Sequence, residues 1–308
     1  MGADSQDRSS RSSGQRSAAR DADALVLEAT EPGLTEATGG DSLFRPGGLG
    51  RVPLALAGVS LIPIAFLALP VAALVWRSAT AGRWFEALAG PRVGQALALT
   101  LTTTLTSLFL TVLLGTPLAY LLARYRFRGR GMLEMLVDLP MVLPPAVAGL
   151  ALLMAYGRRG PVGGLLETAG VDLAFTTAAV VFAQCFVSVP LYVRAARAGF
   201  ADIDPELEEI AETLGASKLG VFRYVTVPLA FPGLFCGAVM AWARALGEFG
   251  ATIMFAGNFP GRTQTMPLAV YTALESELSE ALALAVLLLA LSTVVLAVLA
   301  AAGRWFRD

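Results

Sequence analysis

Six apolar runs, each long enough to cross a bilayer as a helix, dominate the sequence from about residue 53 onward: Pro53–Trp76, Val93–Ala123, Leu133–Tyr156, Ala174–Ala196, Val227–Ala251 and Ala281–Trp305. About 20 apolar residues span the roughly 30 Å hydrocarbon layer at 1.5 Å per residue. No single soluble globule accommodates six such stretches. With 56% hydrophobic and only 15% charged residues and a mean hydropathy of +0.65, the chain has too little polar surface for one. The fold class is therefore all-α and integral to the membrane, with six transmembrane helices. The second run exceeds the spanning minimum and implies tilt or an interfacial end. The third contains Asp138, Pro140, Pro144 and Pro145. Prolines are tolerated there because neighbouring helices satisfy the freed carbonyls.

Arginines orient the runs. The connection between runs two and three carries Arg124, Arg126, Arg128 and Arg130 within seven residues, the one between four and five carries Arg194, Arg197, Lys218 and Arg223, and the C-terminus has Arg304 and Arg307. The alternate connections are poorer in basic residues, and the last is acidic, with Glu275, Glu277 and Glu280. The positive-inside rule then puts both termini and the loops 124–132 and 197–226 in the cytoplasm. Residues 1–50, rich in Ser, Arg, Asp and Gly with one apolar island, cannot offset their ordering entropy and read as a disordered cytoplasmic tail ahead of a six-helix transmembrane domain at 51–308.

Several chemistries are excluded. A net charge of −1 offers no nucleic-acid surface, and the absence of histidine removes the commonest metal ligand and general base. Cys185 and Cys236 lie in apolar runs without ligand spacing and read as buried small hydrophobes. There is no phosphate-binding G-x4-G-K-[ST] loop and no acidic magnesium site. The chain is expected to be no enzyme by itself and to hold no cofactor.

The loop at about 197–227 has internal structure. In DIDPELEEIAETLGASKLGVFRYVTVP, Asp204 is placed to cap a helix, Pro205 takes its first position, and Glu206, Glu208 and Glu209 suit the positive end of the dipole. Leu207, Ile210, Ala211 and Leu214 form a short apolar stripe, Gly215 stops the helix, and a second helical stretch leads from Ser217 into the fifth run. Such a helix lies on the bilayer or docks into a groove on a soluble partner.

Glu209, Ala211, Gly215 and Pro228, with Ile210, Val225 and Val227 as departures, resemble the E-A-A-x3-G-x9-I-x-L-P signature of ABC importer membrane subunits over twenty residues. The resemblance implies the type I importer membrane-subunit fold, with this loop as the coupling helix that enters an ATP-binding subunit. Glu209, Ala211, Leu214, Gly215 and Pro228 become the coupling residues. A narrower resemblance covers residues 53–303: DLPMVLPPAVAGLALLMAYGRRGPVGGLL and GEFGATIMFAGN followed by PGRTQTMPLAVYT look like the molybdate branch of the molybdate/sulfate/thiosulfate permeases. It implies a homodimer of permeases on two ATPase copies, which bind the ATP and magnesium, with an extracellular molybdate-binding protein supplying the anion. Tungstate is nearly isosteric. A sulfate or thiosulfate permease shares the fold, and a docking or scaffold subunit without transport would keep only the loop.

A tetrahedral dianion cannot pass through hydrocarbon unpaired, so ionisable residues within the runs are the path candidates. Arg244 and Glu248 stand four apart, able to pair on one helix face, either as a path or gate element or as a neutralised structural pair. Gly247 and Gly250 flank Glu248 and allow close approach or a local break. Thr100, Thr102, Thr103, Thr104 and Thr106 read as hydroxyls bonded back to their own helix, and Asp138 as a solvated or arginine-paired carboxylate.

Overall fold

The computed structural model describes residues 54–82 and 90–305, and among them it is helical nearly throughout. The tail at 1–50 and the start of the first run at Pro53 lie outside the described residues. The elements are α1 (Leu54–Thr80), α2 (Pro91–Arg124), α3 (Arg130–Val142), α4 (Pro145–Tyr156), α5 (Pro161–Thr168), α6 (Thr177–Ala201), α7 (Pro205–Thr213), α8 (Lys218–Val221), a π-helical turn (Phe222–Thr226), α9 (Val227–Leu246), α10 (Gly250–Phe255), α11 (Met266–Ser276) and α12 (Leu278–Trp305). The chain divides into two units at Phe66–Leu67, within α1. Residues 59–66 present exposed apolar side chains, including Leu61, Ile62, Ile64 and Phe66, as a lipid-facing helix does. The larger unit, from Leu67 onward, holds all the remaining helices.

Five helical stretches are long and apolar enough to cross a membrane: residues 58–80, 91–124, 177–201, 218–246 and 278–298. The 34 residues of α2 extend about 50 Å, the excess length expected of the second run. The third run is interrupted rather than straight: it is two short helices with a bend of 119° at the break. The cause is local: Leu143 and Pro144 are extended, with ψ of 132° and 137°, because a residue before proline is driven out of the helical region and proline cannot donate to the turn behind it.

Side-chain contacts show that this bent pair still makes one traverse. Asp138 and Glu134 of α3 bind Arg194 and Arg197 near the C-terminal end of α6, at 2.6 and 3.0 Å. At its far end α4 places Tyr156 edge-on to Phe182, near the N-terminal end of α6, with ring centroids 5.7 Å apart. Asp138 is thus arginine-paired. Helices α2 and α6 run parallel, since Arg124 donates to the Ile203 carbonyl at one end and Gln184 donates to Thr103 further along, at 3.1 and 3.2 Å.

The core is built from small residues that let helices approach closely. On α9, a Cβ at Gly233 would lie 2.7 Å from the Cα of Gly199 on α6, and a Cβ at Gly115 on α2 would lie 2.7 Å from the Tyr192 ring. Tyr192, Phe200, Leu122 and Ala230 fill the space between these contacts. The threonines of α2 bond back to their own helix, for example Thr100 Oγ1 to the Ala96 carbonyl at 2.7 Å and Thr106 Oγ1 to that of Thr102 at 2.7 Å. Three also accept from neighbouring helices: Thr100 from the Met266 amide, Thr103 from Gln184 and Thr104 from the Trp242 indole. The row is therefore interhelical adhesive as well as self-bonded.

Gly233→Leu is expected to force α6 and α9 apart and destabilise the purified protein by about 1–3 kcal/mol, read as a lower melting temperature in detergent. Gly94→Leu, where a Cβ meets open space, is the control expected to leave it unchanged.

Candidate functional site

The first site is the loop between α6 and α9. Asp204 caps α7 by accepting the Glu206 amide at 3.0 Å, with Pro205 at the first position. Gly215 closes the helix with φ +92°, where a side chain would be strained. The amide of Ala216 reaches the Ala211 carbonyl at 3.1 Å, and that of Gly215 reaches Glu212 at 2.9 Å, the double bond of a glycine-terminated helix. Ser217 then caps α8 by accepting the Gly220 amide. The local sequence thus dictates helix, turn and helix.

The stripe on α7 is uncovered. Leu207, Ile210 and Leu214 are exposed, Leu214 at 83%, and Leu219 and Tyr224 continue the apolar surface past the turn. Of the sequence-predicted coupling residues, Glu209, Leu214, Gly215 and Pro228 are exposed and Ala211 is half-buried. All but Pro228, which sits in the first turn of α9, lie on the protruding α7 and its turn.

One residue that sequence reasoning passed over holds this loop in place. Glu208, one position before the motif glutamate, turns toward the bundle. Its Oε1 accepts from Arg124 at 3.1 Å and from the Thr226 hydroxyl at 2.7 Å. Arg124 ends α2 and also donates to the Ile203 carbonyl just beyond α6. Thr226 ends the π-helical turn that opens α9. Glu208 therefore ties α7 to the ends of α2, α6 and α9 at once. Local sequence carried no signal for it, because Arg124 lies 84 residues away and reads as one more orienting arginine.

The second site is the break after α9. Glu248 is 1% exposed. Its Oε2 pairs with Arg244 Nη1 at 2.7 Å, and its Oε1 accepts the Ala251 amide at 2.7 Å. One carboxylate thus neutralises a guanidinium and caps the first turn of α10. The expected pairing of Arg244 with Glu248 is present, and Arg244 remains 35% exposed at its side chain. The glycines separate. A Cβ at Gly250 would lie 2.6 Å from the Pro145 Cβ, so a side chain there collides with the start of α4. Gly247 meets nothing within 4 Å and has a φ of −89°, so nothing in the structure requires glycine at that position. Gly149 of α4 likewise presses on the Ala251 carbonyl. The two helix breaks, at Leu143–Pro144 and Gly247–Phe249, are packed against each other.

A helical membrane body with a short amphipathic helix exposed at one end and a broken-helix junction within it fits the membrane subunit of a multi-component transporter. The chain belongs to the family of binding-protein-dependent transport system inner membrane components, whose pattern matches residues 115–307. It is 44% identical over 232 residues to the molybdenum transport system permease protein ModB of Mycobacterium tuberculosis, covering 75% of this chain and 88% of that one. Identity falls to 33% over 249 residues with the sulfate transport system permease protein CysT of Salmonella typhimurium, covering 80% and 88%. A membrane chain in the crystal structure of a bacterial alginate ABC transporter, in complex with an alginate pentasaccharide-bound periplasmic protein, superposes with a TM-score of 0.64 at 16% identity, over 79% of this chain and 90% of that one. That likeness shows the fold.

Arg124→Ala is expected to free α7 from the bundle by leaving Glu208 without its charge partner, a loss of about 1–3 kcal/mol of local stability. Hydrogen exchange should rise several-fold in residues 204–227 and stay unchanged in α6; equal exchange in the variant and the wild type would show the tie to be idle.

Proposed function

We propose that this chain is the membrane-spanning subunit of an ATP-driven importer that moves molybdate, and with it the near-isosteric tungstate, into the cytoplasm. One observation carries the substrate: the 44% identity with a molybdenum permease over most of its length, against 33% with a sulfate permease. Both termini and the α7 loop face the cytoplasm, as the arginine-rich connections at 124–130 and 194–223 favour.

In this reading α7 is the coupling helix. Its exposed Leu207, Ile210 and Leu214 insert into a groove of the ATP-binding subunit, Gly215 sets the turn, and Glu209 orients the helix on its partner. ATP and magnesium are bound by that partner, two copies serving two permease chains. The tie through Glu208 gives the docking helix a route into the membrane: a shift of α7 pulls on Arg124 and Thr226, and thus on α2 and α9 together. An anion-binding protein outside delivers the substrate.

The anion needs a polar route closed on one side at a time. Arg244, partly exposed and held by Glu248, supplies the positive charge along it. Gly250 permits the tight junction with α4, and Gly247 leaves open space beside it. Glu248 keeps the guanidinium aimed and the route shut when empty.

The direct test is uptake of labelled molybdate into cells expressing this chain with its ATPase and binding protein, with sulfate and tungstate as competitors. Uptake that yields to tungstate and resists sulfate is expected. Uptake abolished by modest sulfate moves the assignment to the sulfate branch. Gly215→Pro should abolish uptake while the protein still inserts, since proline cannot adopt a positive φ; retained uptake removes α7 from coupling. Glu248→Gln should slow uptake by about tenfold, the equivalent of one charge-assisted hydrogen bond. An unchanged rate removes Glu248 from the route.

A further inference from the structure

Beside the break after α9 lies a groove that neither the coupling loop nor the Arg244–Glu248 pair uses. It holds about 470 Å³ between α1, α11 and α12, with Leu74, Phe249, Tyr271, Leu274, Ala285 and Ser292 among its lining and no charged side chain there. The Ser292 hydroxyl donates to the Leu288 carbonyl of its own helix at 2.9 Å, so the floor makes no polar demand. Helices α1 and α12 are each long and apolar enough to cross the bilayer. Ser292 lies about 20 Å along α12 from its start, and Leu74 about 9 Å before the end of α1. The groove thus runs from one membrane face into the hydrocarbon, where there is no water to fill it.

Its rim carries both signs of charge. Arg77 stands three residues beyond Leu74, on the same face of α1. It is exposed and has no acidic partner among the described residues. Glu275 follows Leu274, is exposed, and accepts the Tyr271 hydroxyl, a bond that leaves a carboxylate further acceptor sites. Exposed Trp76 marks the same level as the membrane–water interface. At the floor, Phe249 occupies the N-cap position of α10, with its ring centroid 5.4 Å from that of Tyr271. A cation and an anion therefore sit above an apolar slot that ends on the residue after Glu248.

We propose that this groove seats one phospholipid of the ethanolamine type, with its phosphate on Arg77, its ammonium on Glu275 and one acyl chain running past Leu74 and Ala285 to Phe249. Shape selects a chain over a helix. A helix 10 Å across fills about 1,600 Å³ over 20 Å of length, more than three times the groove. Charge selects the headgroup. An anionic glycerol headgroup satisfies Arg77 but adds negative charge beside Glu275, on a connection that also carries Glu277 and Glu280. A choline headgroup has no N–H to give the carboxylate. The seated chain packs on Phe249 and so props the first turn of α10, the turn that Glu248 caps.

The test places the full chain in nanodiscs of equal parts phosphatidylethanolamine, phosphatidylglycerol and phosphatidylcholine, and native mass spectrometry counts the lipid that stays bound on release. About one phosphatidylethanolamine per chain is expected, held several-fold over the other two. Ala285→Trp, which fills the groove, should abolish that retention, and Leu69→Trp, at an exposed position outside it, should not. Arg77→Gln should weaken retention by about tenfold, the equivalent of one charge-assisted hydrogen bond. Glu275→Gln should erase the preference over phosphatidylglycerol. Both rim positions are exposed, so these two variants decide the matter even where Ala285→Trp fails to fold. Added phosphatidylethanolamine should also raise the melting temperature of the delipidated wild type and leave that of Ala285→Trp unchanged. A wild type that retains no lipid, retains all three equally or prefers phosphatidylglycerol overturns the proposal, as does unchanged retention in the rim variants. Disulfide pairing of two chains through Ala285→Cys gives the groove to a second copy and overturns it equally.

Discussion

Hydrocarbon supplies no hydrogen bonds, so each backbone N–H and C=O at membrane depth must find its partner inside the protein. That constraint governs where this chain can interrupt a helix. At the break after α9, Glu248 accepts the Ala251 amide, so a side chain takes the place of the missing turn. At the break between α3 and α4, two of the residues are prolines, Pro144 and Pro145, which bring no amide to satisfy. The Ala148 amide then restarts the ladder on the Pro144 carbonyl at 3.0 Å. Each break is close to self-sufficient. Stacking Gly250 on Pro145 and Gly149 on Ala251 then shields both from lipid.

The same logic explains why the α7 loop can protrude without being loose. A nine-residue helix is too short to persist alone in water. Its own ends are capped by Asp204 and Gly215, yet capping fixes only its existence, not its direction. Direction comes from Glu208, whose carboxylate meets a cation from α2 and a hydroxyl from the π-helical turn. With that face held against the bundle, Leu207, Ile210 and Leu214 are left uncovered on other faces of the helix. The anchor and the uncovered apolar stripe thus belong to adjacent residues on a helix only two and a half turns long.

What could be read from the sequence was whatever is encoded locally. The runs lie within a few residues of the observed helices, since hydropathy needs no partner. Asp204, Gly215 and the Arg244–Glu248 pair depend on neighbours within four positions and were equally legible, as was the back-bonding of the α2 threonines. The failures are non-local. The prolines of the third run announce an interruption, but the size of the bend, 119°, is not written in them. Glu208 looked like one of three dipole-matched glutamates until Arg124 and Thr226 were brought to it. Gly247 and Gly250 looked alike, and only the position of α4 distinguishes the crowded one from the open one. The positive φ of Phe175 had no glycine to announce it.

Burial sorts the ion pairs by the work each can do. Arg158–Asp172 and Arg194–Asp138 have side chains between about a third and two-thirds exposed; pairs so solvated contribute about 0–1 kcal/mol. Their value is positional: Arg194–Asp138 ties α3 to α6, and Arg158–Asp172 ties the segment after α4 to the one that leads into α6. Arg124–Glu208 is more enclosed, at 13% and 18%, and correspondingly more costly to open by removing one partner. Arg244–Glu248 is asymmetric, with one partner sealed and the other a third exposed. Removing Arg244 leaves a sealed carboxylate with the Ala251 amide as its remaining hydrogen-bond partner, whereas removing Glu248 leaves a guanidinium that solvent still reaches, so the first loss is the more costly.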